Sequence, residues 1–460
     1  MTQQGVRWTA EQVLALAPDA ASRKAGSKLA AAGPWSGTGS SDEGTVWGLC
    51  KGSGSKPYQT IIDVADSAGP AYKCGCPSRK FPCKHALGLL LLWAGDAAAV
   101  PSGQAPDWAL QWLSGRRTRA AARTTRTGAA SGATSADPEA ARRRAERRAD
   151  RVTAGATELE QRLTDLFRGG LAAAEQAGYG LWEETAARMV DAQAPGLAAR
   201  VRELGAIPAS GPGWPARLLE ECALLHLLDQ GWLRRDRLPE GLAATVGSRI
   251  GLTGSPDGPP VHDRWLALAQ YDTSDAHSSL TTRRIWLHGL RSGRTVLLLS
   301  YGAAGRAPEL SLPVGLAFEA EVSAYPGAGQ LRAALGERFT APEPSAARPP
   351  GITPSEAAAR YGAALRDDPW LDSFPVTLGR VVPVPVGDSW QLADADSDLA
   401  LPLISSARSR PGLWRLLSLS GGLPVTVFGE CGHRGFTPLT AWSEESEGAY
   451  ETVGQAVALC

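Results

Sequence analysis

Tyr72-Lys73-Cys74-Gly75-Cys76-Pro77-Ser78-Arg79-Lys80-Phe81-Pro82-Cys83-Lys84-His85 places three thiols and one imidazole within twelve residues. Zn²⁺ takes a tetrahedron of thiolates and imidazoles at roughly 2.0 to 2.3 Å, and three Cys plus one His form a closed, structural set with no vacancy for a reacting water. Pro77 and Pro82 restrict the intervening backbone, so the chain can double back and bring the second pair to the first. Ala86 to Trp93 is a leucine-rich run of strong helix propensity, which places His85 on the first turn of a helix.

Two plainer readings compete with a metal site. Buried free thiols are common in cores, but Lys73, Arg79, Lys80 and Lys84 surround these cysteines with charge that a core would not accept. A disulfide framework fits poorly with seven cysteines, an odd number, spread over 460 residues. One structural Zn²⁺ on Cys74, Cys76, Cys83 and His85 is therefore expected.

The pattern C-x-C-x6-C-x-H is preceded by Trp47-Gly48-Leu49-Cys50-Lys51-Gly52-Ser53 and Pro57-Tyr58, and followed by Gly88-Leu89-Leu90. In this it resembles the SWIM zinc finger. The longer chain, on stretches such as Trp182 to Gly196 and Trp265 to Arg291, is similar to the bacterial SWIM zinc finger family proteins. That resemblance implies a zinc-bound β-hairpin and helix, with Cys74, Cys76, Cys83 and His85 as ligands and Cys50 outside the set. It also implies a role in binding DNA or other proteins. Relatives of this kind accompany MoxR-type AAA ATPases and von Willebrand factor A proteins, which makes those the protein partners to expect.

Working outward, Thr9 and Gln12 form a capping-box signature ahead of Val13, Leu14 and Leu16, with Pro18 as a stop. Thr45 to Cys50 and Gln59 to Val64 read as two strands split by Gly52-Ser53-Gly54-Ser55, leading directly into the metal knuckle. Asp107 to Leu113 reads as a short helix whose Trp108 and Trp112 pack. Residues 114–138 lack large apolar side chains and cannot offset their ordering entropy, which marks a linker. Glu139 to Arg151, rich in arginine, reads as the exposed start of a helix that becomes amphipathic at Leu159.

From Thr153 to about Leu238, apolar residues recur at helical spacing and predict a bundle of about four helices. Cys222 and His226 on one of these helices read as core residues. After Ser255 the period changes to two. Trp265 to Tyr271, Arg283 to Leu290, Thr295 to Tyr301 and Leu316 to Ala324 are predicted strands, and Ser355 to Leu365 is a predicted helix. Val376 to Val386, Ser389 to Leu392, Leu399 to Ile404, Leu413 to Leu419, Val425 to Phe428 and Phe436 to Trp442 then predict a small antiparallel sheet or barrel. Trp265, Trp286, Trp390, Trp414 and Trp442 lie in these regions as core or cross-strand residues, with base stacking as the alternative. His262, His277 and His288 read as surface histidines, and Cys431 and His433 as near neighbours without an assigned role.

The expected architecture is an α+β multidomain chain with a small zinc-bound ββα finger, a helical bundle and a C-terminal antiparallel β region. Its divisions are 1–113 (finger about 45–95), a 114–151 linker, 152–245 helical, 260–340 β-rich and 355–460 β-rich.

Charge narrows the function. Lysine plus arginine equals aspartate plus glutamate over the whole chain, yet residues 1–151 hold seven lysines and fourteen arginines against twelve acidic residues, and every lysine lies at or before position 84. Lys73, Arg79, Lys80 and Lys84 are accordingly candidate phosphate contacts for DNA or RNA. A solvated surface and an arginine-rich coding bias account for the same charge equally well. No phosphate-binding loop, dinucleotide fingerprint, H-E-x-x-H or nucleophile elbow is present, so neither catalytic residues nor a small-molecule substrate are expected. Met1 to Asp19 has no signal-peptide pattern, and the longest apolar stretch, Ala86 to Ala94, is far short of the ~20 residues that span a bilayer. The sequence thus reads as a cytoplasmic, non-enzymatic zinc-binding adaptor without membrane contact, with a DNA- or RNA-binding protein as the alternative.

Overall fold

Thr9 caps the first helix, α1 (Ala10–Leu14), through the expected box: its hydroxyl accepts from Gln12 N, and the Gln12 side chain accepts from Thr9 N. The computed structural model describes residues 7–17, 20–41, 44–52, 56–64, 70–78, 80, 82–116, 138–252, 254–274, 280–303, 308, 310–443 and 455–460. Pro18, Arg79, Phe81, His277 and most of the 114–138 linker lie outside the described residues.

After α2 (Ala20–Ser27) come β1 (Trp35–Ser40), β2 (Thr45–Cys50), β3 (Tyr58–Asp63) and β4 (Ala71–Cys74), an antiparallel meander in sequence order. The finger therefore rests on four strands rather than the hairpin expected, and it is β4, not β3, that delivers the chain to the metal knuckle. β1 and β4 escaped the sequence reading because Gly37, Gly39 and the brevity of Ala71–Cys74 weaken any periodic signal. Helix α3 (Lys84–Gly95) follows and buries Ala86 to Trp93. Gly26 and Gly88 let α2 approach α3 closely: a Cβ on Gly88 would stand 2.5 Å from Leu29 Cβ. On the opposite face of the sheet, Trp108 and Trp112 of α4 (107–116) pack against Trp47 and Ile61, as expected of them.

Helix α5 (Pro138–Gly169) is a single rod about 48 Å long at 1.5 Å per residue. Its arginine-rich start is exposed, and it continues into the core-forming Val152, Ala156, Leu159 and Leu163. With α6 (Ala172–Asp191), α7 (Pro195–Ala206), α8 (Trp214–Leu233) and α9 (Glu240–Ile250) it encloses one apolar core. Cys222 belongs to that core. His226 does not: its side chain is exposed, and its Nδ1 lies 2.8 Å from a Glu160 oxygen. The leucines around it in sequence concealed that it falls on the outer face of α8.

The second sheet runs in the order β10-β8-β5-β6-β7 with β9 paired to β8, from β5 (Val261–Ser274), β6 (Leu280–Gly289), β7 (Thr295–Ala303), β8 (Leu316–Ala324), β9 (Ala333–Arg338) and β10 (Glu343–Pro344). His288 on β6 is buried, close to Thr295 Oγ1 at 3.1 Å, and burial lowers its pKa, so the surface assignment for this histidine does not hold. His262 is exposed and contacts Glu319. Helix α10 (Pro354–Asp367) leads to the third sheet, β13-β12-β11-β14-β15-β16, an open antiparallel sheet rather than a barrel. Its strands are β11 (Ser373–Val386), β12 (Ser389–Asp394), β13 (Ala400–Pro402), β14 (Val425–Gly432), β15 (Gly435–Ser443) and β16 (Val457–Ala458). The Leu413 to Leu419 stretch, read as a strand, is instead helix α11 (Pro411–Ser420). Pro411 in its first turn and Gly421 at φ 53° after its end are the start and stop signals that alternation in the leucines masked.

The second and third sheets share a core of Leu266, Leu268, Trp286, Phe428, Leu439 and Trp442. Glu430 fixes it from the third sheet, accepting from Tyr271 Oη at 2.7 Å, Trp286 Nε1 at 2.8 Å and Ser373 Oγ at 3.2 Å. Trp265, Trp286 and Trp442 are buried and Trp390 is half-buried, so these four are packing residues. Trp370, between α10 and β11, inserts into the bundle core and donates to Leu224 O, beside an ion pair between Arg249 and Asp368.

Asp229 on α8 is fully buried, and neither carboxyl oxygen has a hydrogen-bond partner among the described residues. Burial, and secondarily the Glu160 charge, pushes its pKa up to about 9. A carboxyl raised in the folded state contributes most below its unfolded pKa of about 3.9, and that contribution is lost as pH rises towards about 9. Asp229→Asn abolishes the titration. Its melting temperature relative to the parent chain is expected to rise steadily between pH 5 and pH 9; a constant difference would show that Asp229 is not held neutral.

Candidate metal centre

β4 ends at Cys74, Cys76 follows across Gly75, Cys83 is the N-cap of α3, and His85 lies in the first helical turn. Register places the site at one end of the sheet, since Thr60 pairs with Cys74 across β3 and β4, while Cys50 pairs with Tyr58 across β2 and β3. The donor atoms of Cys74, Cys76, Cys83 and His85 all lie within 4.8 Å of one another. Cys74 Sγ and His85 Nδ1 are 3.7 Å apart. A tetrahedron with Zn–S bonds of about 2.3 Å and a Zn–N bond of about 2.0 to 2.1 Å has edges of about 3.5 to 3.8 Å, so the donor set fits Zn²⁺ and orients the imidazole to ligate through Nδ1.

The electrostatics suit a cation. Hydrogen bonding from Cys83 first, and also from His85 and Thr60, holds the Cys74 thiol far below its usual range. The same interaction with Cys74, together with burial, pushes Cys83 up, and burial raises Cys76. Bound Zn²⁺ would supply the charge that permits three thiolates to sit together, leaving a site one unit negative. Lys84 in the first turn of α3 opposes the helix dipole and gains from that negative charge.

Two residues support the ligands: Thr60, which the sequence reading missed, and Tyr58, which it noted only as part of the family resemblance. Thr60, fully buried, places Oγ1 3.3 Å from Cys74 Sγ. The Tyr58 ring lies 5.0 Å from that of His85, tilted 45°. Thr60 carries no motif, and it is the strand register that brings both to the ligands. Cys50 is buried nearby and stays outside the quartet, with its thiol raised by burial and by the Cys74 charge.

Of the candidate phosphate contacts, Lys73, Lys80 and Lys84 are exposed, while Arg79 lies outside the described residues. Strand register adds Lys51 and Lys56, both exposed, which flank Cys50 and Tyr58 at the same end of the sheet. Sequence distance from the knuckle hid this second half of the basic rim.

The SWIM zinc finger family model matches residues 66–94, and that of the SWIM-associated four-helix bundle domain matches residues 147–250. The chain thus carries a SWIM zinc finger with one structural Zn²⁺ site, followed by the bundle that accompanies such fingers. No curated protein and no solved structure matches the chain.

Metal analysis is expected to give one zinc per chain, lost when Cys76→Ser and Cys83→Ser are combined. Because zinc binding free energy becomes folding free energy in small sites, chelation should open the finger to a lysine-specific protease, all of whose sites lie at or before Lys84. Cutting unaffected by chelation would contradict a structural metal. Thr60→Val removes the hydroxyl next to Cys74 and is expected to lower zinc affinity about tenfold or more in a chelator competition.

Proposed function

We propose that the chain is a non-enzymatic adaptor in which zinc fixes the shape of a lysine-rimmed docking face on the finger. The carrying observation is the closed Cys₃His quartet: all four donors converge, which fits zinc as a staple, and the exposed groups it holds in place are Lys51, Lys56, Lys73, Lys80 and Lys84. Elsewhere, some of the charged groups are engaged within the chain. In the cleft of about 1180 Å³ between the bundle and the second and third sheets, Arg249 is paired with Asp368 and Arg434 with Glu221. Protein partners are the first expectation, with MoxR-type AAA ATPases or von Willebrand factor A proteins suggested by the family resemblance. A cytoplasmic site of action accords with seven free cysteines. No helix among the described residues is long and apolar enough to cross a membrane.

The lysine rim favours a second reading, in which the finger tracks the phosphates of DNA or RNA. A salt series with labelled duplex DNA separates the two. The adaptor reading predicts no duplex binding at physiological salt. It also predicts measurable affinity for a MoxR-type ATPase or von Willebrand factor A protein that is lost in the zinc-retaining Lys51→Gln, Lys73→Gln, Lys84→Gln variant. Duplex binding whose salt slope falls by about 1 unit per lysine replaced would instead establish the nucleic-acid reading.

A further inference from the structure

Fourteen of the fifteen tryptophans are buried or half-buried; Trp414 on α11 is 65% exposed. Its setting keeps it so. Helix α11 buries Leu413 and Leu416 against the third sheet and turns Trp414 outward. One turn further along that outer face stands Ser418, and Gly421 follows the helix, so nothing large covers the indole from that side. Other tryptophans carry arginines over their rings, as Arg7 does on Trp93 and Arg235 on Trp232, whereas no ring or cation lies over Trp414 among the described residues.

The surroundings are cationic. Arg410 lies one turn before Trp414 and Arg415 beside it, with Arg408 in the preceding turn; all three are exposed and none forms an ion pair among the described residues. No acidic residue occurs between Asp398 and Glu430. From these observations we infer that Trp414 is a stacking platform for an unpaired base of a single-stranded nucleic acid, with Arg408, Arg410 and Arg415 holding the adjoining phosphates.

The shape favours that ligand over others. A small molecule needs a concave, mostly enclosed pocket, and this is a convex helix face. A membrane surface needs a broad apolar face, and the residues exposed around Trp414 include Arg410, Arg415 and Ser418. A protein interface is built on a contiguous desolvated centre, for which one ring beside Pro411, with Arg410, Arg415 and Ser418 around it, is too little. A base needs only an uncovered ring face and cations for its backbone. The inference does not depend on the finger, whose lysines lie around the first sheet and at the start of α3.

Fluorescence anisotropy of labelled oligo(dT) with the full chain tests it. Trp414→Ala is expected to weaken binding roughly 5- to 150-fold, the range of one lost base–aromatic stack, with melting temperature and zinc content unchanged. Trp414→Phe should retain most of the affinity. Replacing Arg408, Arg410 and Arg415 by Gln should lower the salt slope by up to about 2 units. The inference is overturned if oligo(dT) does not bind, or if Trp414→Ala binds as the parent chain does. It is equally overturned if affinity is lost in the Lys51, Lys73, Lys84 variant instead, or if Trp414 is needed for binding polyglutamate and not oligo(dT), which would make the patch a protein contact.

Discussion

The contact between the end of β4 and the start of α3 governs the N-terminal part of the molecule. Cys74 and His85 are separated by a loop with two prolines, and they meet at 3.7 Å because the other two donors converge on the same point. Without a metal, three thiols beside a buried imidazole would leave polar groups competing for one negative charge, a poor substitute for packing. With Zn²⁺, the repulsion becomes attraction, and the β-meander is tied to the helix that carries Leu87, Leu89, Leu90 and Leu91 into the shared core. That core includes Leu316 of the second sheet, and Gln12 reaches Val314 O, so the finger is seated on the β region as well as being held together by the metal.

The metal ligands were legible because their chemistry is local. Four donors with tight spacing define the site without any knowledge of the sheet, and the capping box at Thr9 and the helix beginning at Pro354 were legible for the same reason. Features that depend on pairing across the sequence were not. Thr60 meets Cys74 only through a β3–β4 register, and Lys51 and Lys56 join the basic rim only because β2 and β3 end together. β9 and β10 are short pieces completed by β8, and nothing in Ala333–Arg338 marks them alone.

Where the sequence reading failed on individual side chains, the cause was a face assigned from composition. His226 stands among leucines yet falls outside the bundle, where Glu160 holds it, while His288 alternates with apolar residues on a strand whose two faces are both covered. Leu413 to Leu419 carries enough alternation to suggest a strand, but its buried positions, Leu413, Leu416 and Ser420, follow a helical period. The consequence is specific. As a strand residue Trp414 would belong with the packed tryptophans, and as a helix residue it is turned to solvent.

The division of cations follows from the same architecture. Lysine occurs only at or before position 84, in and just after α2 and around the finger, where a flexible, strongly hydrated point charge suits an exposed rim. Arginine dominates the remainder, where its planar fork is used in fixed geometry: Arg283 makes two bonds to Asp272 at 2.7 and 2.9 Å, and Arg249 grips Asp368 next to the inserted Trp370. Arg408, Arg410 and Arg415 depart from that usage, because among the described residues no carboxylate pairs with them. Arg415 gives one of its donors to Ala458 O; guanidinium groups with no carboxylate partner among the described residues, beside a tryptophan left without a covering residue, are chemistry directed at something outside the chain.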